Sequence, residues 1–318
     1  MANQLFQNIR RRTTAPLCPF ESDCHGVQKL DTDIYLRKID HTIIRNAIDE
    51  YFAASGMPEE HFTTYFSPHE RRWFQSASFL VEHRFKALGS AIPTVQEEQS
   101  RKIVEGVTMG MRIVKPTIVK PVMYLDWAYS GRSSQLTGFR KGAFEVYIHR
   151  EERFLEEFKA NDITLLATMV PRIRRTFIGH QWGSFNRIGN ALNYFETGYR
   201  MNSAEMRFSL FATSLETLFV TSERSVSRQF RNRISHFLAQ DEPEQQKLES
   251  SCRAIYKLRS MIVHGEPFDT GGPAELDQLM FEVQEIGRHS LQKVLRDEVL
   301  FSTFQRPRAD LGDFLEHL

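Results

Sequence analysis

The chain has 318 residues, enough to bury one large or two ordinary cores, and its 41% hydrophobic and 25% charged residues are those of a water-soluble globular protein. Lys+Arg number 41 against 40 Asp+Glu, a net charge of +1, so any nucleic-acid contact must come from local patches rather than a global field. Three cysteines cannot build a disulfide framework, and no apolar run approaches the ~20 residues of a bilayer-spanning helix.

Residues 1 to about 30 are polar and free of periodicity and read as a loose arm. Arg10-Arg11-Arg12 has no apolar segment behind it, which does not fit a secretory signal, and the chain is read as cytoplasmic. Cys18, Cys24 and His25 are too few and too irregularly spaced for a zinc finger; no metal and no cofactor is expected. From Asp33, the residues Ile34, Ile39, Ile43, Ile44 and Ile48 with Tyr51 and Phe52 predict a helix ending at Gly56. Ser67-Pro68-His69-Glu70 places an N-cap, a proline in the first turn and an acid behind it. The helix that follows is expected to run to about Gly89, with Trp73 and Phe74 in its core face, and another covers Thr94 to Val107. Pro116 and Pro121 break helices, and alternation over Gly138 to Ile148 predicts a short strand or hairpin.

Beyond Glu151 the pattern is helical again. Phe154, Leu155 and Phe158 lead one helix, and Leu165, Leu166, Met169 and Ile173 mark another. Arg187 to Arg200 is amphipathic, Met206 to Val220 is the most apolar segment and so a central helix, and Ser225–Leu238, Lys247–Val263 and Pro273–Leu295 complete the set. The fold class predicted is mainly α: a mostly helical region over 1–160, read as a recognition or regulatory part and holding a short β hairpin, and an up-and-down helical bundle over 161–318.

The run Tyr256-Lys257-Leu258-Arg259-Ser260-Met261-Ile262-Val263-His264-Gly265 carries the chemistry. Arginine is an always-charged fork suited to phosphate, and histidine exchanges protons near neutral pH; together they are the parts needed to cleave RNA without a metal. Five positions along a helix correspond to about 140° of rotation, so Arg259 and His264 diverge in a regular helix. Either the helix ends near Val263 and turns His264 back, or two copies face each other across a two-fold axis. The bland alternative is Gly265 as a C-cap, with His264 favoured by the helix dipole.

Three further blocks precede this run: Arg187-Ile188-Gly189-Asn190-Ala191-Leu192-Asn193-Tyr194-Phe195, the segment Arg207 to Phe219, and Ser225-Val226-Ser227 through Arg233. In that order and spacing, residues 185 to 295 resemble the Apea-like branch of the HEPN superfamily. The resemblance implies a helical bundle that dimerises with an Arg-x4-6-His motif at the interface and, in catalytic members, metal-independent RNA cleavage, with tRNA among the candidate substrates and phage defence or stress response as the setting. By position the motif residues are Arg259 and His264. Glu216 matches the acid of the buried helix and Arg233 the basic residue of the next. Ser260 stands where many HEPN nucleases carry Asn, Asp or His, and Tyr256 opens the run. The alternative is a non-catalytic HEPN module that dimerises and binds RNA or a protein partner.

Arg224, Arg228 and Arg231 fall at i, i+4 and i+7 and form a positive stripe if helical, either an RNA contact or a solvated face. Arg172, Arg174 and Arg175 make a second basic cluster, and His180, Trp182 and Phe185 could stack on a base or pack at a domain junction. Arg231 and His236 repeat the Arg-x4-His spacing inside a segment expected to be structural. A phosphate-binding glycine loop, a His-Glu-x-x-His helix and a Gly-x-Ser-x-Gly elbow are all missing from the sequence.

Overall fold

A computed structural model describes residues 8–18, 20, 22–56, 61–88, 95–117, 119–121, 123–129, 136–143, 157–177, 186–267 and 273–317. The chain divides into two units: residues 1–112, 116–146 and 150–178 form the first, and 113–115, 147–149 and 179–318 the second.

The first unit corrects the expectation of a mainly α chain. It is organised on a seven-stranded antiparallel sheet: β1 (Asn8–Cys18), β2 (Val27–Lys29), β3 (Ile34–Lys38), β4 (Phe79–Leu88), β5 (Lys120–Pro121), β6 (Met123–Tyr129) and β7 (Leu136–Ala143). The order across the sheet is β2-β3-β4-β1-β6-β7, with β5 also on β1. The segment read as a loose arm is thus a central strand. Its polar side chains are tolerated because they find partners: Thr13 Oγ1 donates to Asp126 at 2.7 Å, and Trp127 Nε1 donates to Thr14 Oγ1 at 2.9 Å.

Alternation divides the sheet into two faces. One face carries Leu80, Met123, Leu125, Trp127 and Phe139 into a core shared with α1 (His41–Ala54), α2 (His61–Tyr65) and α3 (Pro68–Ser76). The opposite face meets α4 (Val95–Val114) through polar pairs: Arg11 with Glu97, Arg101 Nε with Asp126 at 3.1 Å, and His83 Nδ1 with Ser100 Oγ at 2.7 Å. The unit closes with α5 (Ala160–Phe177), where Arg174 binds Asp33 and Asp31. That ion pair engages one member of the basic cluster at 172–175.

Two helices read from periodicity are in fact helix–strand composites. The single helix expected from Ile34 is β3 followed by α1, whose N-cap Asp40 accepts from Ile43 N. The helix opened at Ser67 has its capping box with Glu70 but stops at Ser76, and Phe79 to Leu88 is β4. Leu80, Val81 and Phe85 match a helical stripe by chance, because this strand is buried on both faces over Phe79–Val81. A real hairpin, β6–β7, falls earlier than the alternation suggests; residues 144–148 lie outside the described set, as do Phe154, Leu155, His180, Trp182 and Phe185. Phe158 is not helical but bridges to Ser22.

The described part of the second unit is helical: α6 (Arg187–Arg200), α7 (Ala204–Phe219), α8 (Val226–Leu238), α9 (Glu242–His264), α10 (Pro273–Arg296), α11 (Glu298–Phe304) and α12 (Arg308–Glu316). The apolar helix α7 packs on α6, α8, α9 and α10. Aromatic rings link these helices: Phe195, Tyr199 and Phe211 lie 5.3–5.5 Å apart, and Phe219 stacks edge-on against Phe237 and Phe304. Gly198 permits this approach, since a Cβ there would lie 2.6 Å from the Phe211 ring. Among the described residues no helix is long and apolar enough to cross a membrane.

Candidate functional site

The site is built on the C-terminal end of α7. The exposed carbonyls of a helix end attract cations, and two buried arginines take them. Arg187, the first residue of α6, donates through Nη1 to Thr217 O at 2.8 Å and Val220 O at 3.3 Å. Arg233 of α8 donates to Phe219 O at 2.9 Å, to Thr221 Oγ1 at 2.9 Å, to Gln229 Oε1 at 2.7 Å and to Glu316 at 3.0 Å. Glu216, on the last turn of α7, receives Arg259 of α9 at 2.9 Å. Glu216 thus pairs with Arg259, while Arg233 serves the helix end.

These groups border an open pocket of about 480 Å³, lined by Arg187, Asn190, Tyr194, Thr213, Glu216, Thr217, Val220, Thr221, Ser222, Glu223, Val226, Arg259 and Arg308. Its guanidiniums crowd one another with like charge. The pKa of Arg187 is pushed down to about 10, first by burial and then by the neighbouring charges of Arg308 and Arg233. Arg259 Nε is buried without a hydrogen-bond partner among the described residues. An anion entering the pocket would relieve both costs, and a phosphoryl group matches planar guanidinium donors well.

His264 lies elsewhere. It is the last residue of α9, which stays helical to that point; Gly265 follows in the left-handed region at φ 68°, and the cap closes through Gly265 N to Ile262 O and Glu266 N to Met261 O. A turn-back after Val263 is therefore not what the chain does. His264 is exposed, does not line the pocket, and makes no hydrogen bond among the described residues. Beside it Val263 is 54% exposed, and Met261 and Ile262 are half-buried.

The remaining candidates are dispersed. Tyr256 packs on Phe230 at 5.5 Å, and its hydroxyl pKa is raised by burial and by Glu216, against a smaller opposing effect of Arg259. Ser260 is half-buried and does not line the pocket. Arg224 precedes α8 and is separated from it by Ser225 at φ 53°, so the helical stripe contains only Arg228 and Arg231. Arg228 is exposed, whereas Arg231 pairs with Glu249 at 3.4 Å. His236 is held by Asn232 O at 2.7 Å and Gln245 at 3.0 Å, so the second Arg-x4-His pair does not converge either.

The pocket residues missed in the sequence are Arg187, Tyr194, Asn190 and Arg308. The first three lie in the run that opens the family resemblance, one helical face of α6; Arg308, after Pro307, lies beyond the segment the resemblance covers and has no sequence signal. Comparison of the chain with models of known protein families, with characterised proteins and with solved structures finds no match.

Proposed function

We propose that this chain is a HEPN-type, metal-independent endoribonuclease that works as a homodimer. The observation that carries the reading is the pairing of an arginine-walled pocket around Arg259 with an exposed His264 farther along the same regular helix. At 1.5 Å and 100° per residue the two lie about 7.5 Å and about 140° apart in one chain. A two-fold axis crossing α9 between Met261 and Ile262 would bring Arg259 level with the partner subunit's His264. The exposed apolar side chain of Val263, which lies between Arg259 and His264 around the helix, is part of the surface such a contact would cover.

In this reading His264 accepts the proton of an RNA 2′-hydroxyl, whose oxygen attacks the adjacent phosphorus; the bond to the 5′-oxygen breaks and that oxygen takes a proton from water. Arg259, oriented by Glu216, neutralises charge developing on the non-bridging oxygens, and Arg187 and Arg308 hold the flanking phosphate. The products are a 2′,3′-cyclic phosphate and a 5′-hydroxyl. Arg224 and Arg228 remain free to contact RNA outside the pocket.

The test is cleavage of total tRNA and a generic single-stranded RNA in EDTA by wild type and by Arg259→Ala/His264→Ala. Cutting that disappears in the double variant supports the assignment; retained cutting by a folded, nuclease-free variant refutes it. A second reading, a dimeric module that binds RNA or a protein without cutting, is favoured by the closed Arg259–Glu216 ion pair. A dimeric wild type that binds but does not cut either RNA would select it.

A further inference from the structure

Among the described residues, helices cover only half of the sheet face that carries the apolar core of the first unit. Toward Leu80, Met123, Leu125 and Phe139 it lies under α1–α3. Toward the opposite end of the same face, the register aligns Arg84 with Arg12 and Lys29 with Tyr35, which in turn faces Glu82. Arg37 and Lys86 share this face by alternation.

At the centre is Glu82, fully buried, with three arginines around it. Arg37 Nε lies 2.8 Å from its carboxylate, misaligned for a hydrogen bond but close enough for a charge pair; Arg84 touches it, and Arg12 stands 3.8 Å away. One guanidinium would neutralise the carboxylate. Two surplus charges remain, and the arginine side chains are 30–44% exposed. Lys29 and Lys86 add two more exposed cations. Two tyrosines punctuate the cluster: the Arg84 guanidinium lies 4.4 Å from the Tyr35 ring centre, and that of Arg12 lies 4.9 Å from Tyr129.

We infer that this open half of the sheet binds single-stranded nucleic acid. Phosphates would take the surplus guanidiniums, and bases would stack on the arginine planes and tyrosine rings, which present flat faces without sequence preference. From β2 to β6 the cluster crosses four strand spacings, about 19 Å, room for several nucleotides of an extended strand. An acidic peptide would use the charges but not the rings, and a membrane surface would not need the central acid. This inference is independent of the ribonuclease reading, because none of these residues lies near Arg259 or His264 in the chain or shares their unit.

The experiment measures binding of the full chain to a fluorescent 12-nucleotide 2′-O-methyl RNA by anisotropy across a salt series. That probe lacks the attacking hydroxyl, so binding is read whether or not the protein cleaves. For Arg12→Gln/Arg84→Gln, which leaves Arg37 on Glu82, affinity should fall at least about tenfold and the log K against log salt slope should drop by about 1.4, some 0.7 for each lost phosphate contact. Glu82→Gln should bind more tightly than wild type, a change that loss of fold cannot produce. DNA of the same sequence tells whether the 2′ position matters, and binding of either strand supports the site. Unchanged affinity and slope in the arginine double variant would overturn it. So would preference for the matching duplex, or for anionic phosphatidylserine vesicles, over the single strand.

Discussion

Two inactive variants, Arg259→Gln and His264→Ala, are expected to restore cleavage to each other when mixed. Each homodimer lacks one half of every composite site. A heterodimer keeps one intact site, formed by Arg259 of the His264→Ala chain and the partner subunit's His264, and loses the other. Random exchange makes half of the dimers mixed, so activity in EDTA should recover to about a quarter of wild type. The geometry behind that figure is the regularity of α9 through His264, which separates the two side chains by about 140° within one chain. The converse mixture adds a second figure: wild type mixed with an equal amount of the double variant should show about a quarter of the activity of the same total amount of wild type, against about half if each chain's own pair worked alone. The assay is cleavage of a fluorescent RNA after subunit exchange, with heterodimer formation verified by native mass spectrometry of differently tagged chains. Confirmed heterodimers as inactive as their parents would refute the shared site.

Gly265→Ala should cost about 1–2 kcal/mol in urea unfolding, because an alanine meets no steric contact at that position but must adopt φ 68°; Gly265→Asn should recover part of the loss. Cys252, with its thiol pKa pushed up to about 12 by burial, should resist iodoacetamide at pH 8.5 in the folded chain and react on denaturation. Since that raised value lets the folded chain hold a proton the unfolded chain releases above about 9, Cys252 lowers stability between pH 9 and 12, and Cys252→Ser should flatten that part of the profile. His83 has its pKa lowered chiefly by burial, against the raising effect of Asp33, so the unfolded chain binds its proton first as pH falls. The resulting loss of stability below about pH 6.5 should be smaller in His83→Gln, measured by thermal melting at pH 5 and pH 7.5.

Helices α6 to α10 of the second unit were legible because each has an apolar stripe, although α9 starts at Glu242 rather than the expected Lys247, and the short α11 and α12 were not read. Asn186, Ser203 and Asp241 cap α6, α7 and α9, and Gly265 ends α9. The sheet was not legible, and β1 shows why. Arg11, Thr13 and Thr14 are polar in a row and buried all the same, their cost met by Glu97, Asp126 and Trp127, residues more than 80 positions away. No local window contains that information. The site divides along the same line. Glu216 and Arg259 could be matched through the family resemblance, but the role of Arg187 depends on which carbonyls it reaches at the far end of another helix. The sequence also left open how His264 relates to Arg259, and the uninterrupted course of α9 decides it within one chain.

The position of β1 has a consequence for how the chain is made. This strand occupies residues 8–18, yet its two neighbours come from residues 79–88 and 123–129. On the ribosome it precedes both, the first partner by about 60 residues and the second by about 105, and closing such long loops is slow. The helices after residue 186 contact mainly their sequence neighbours and can form soon after they emerge. Synthesis therefore runs from the slow-folding unit to the fast one, and the first strand spends the longest time exposed, where its run of three arginines is a safeguard against pairing with other nascent chains.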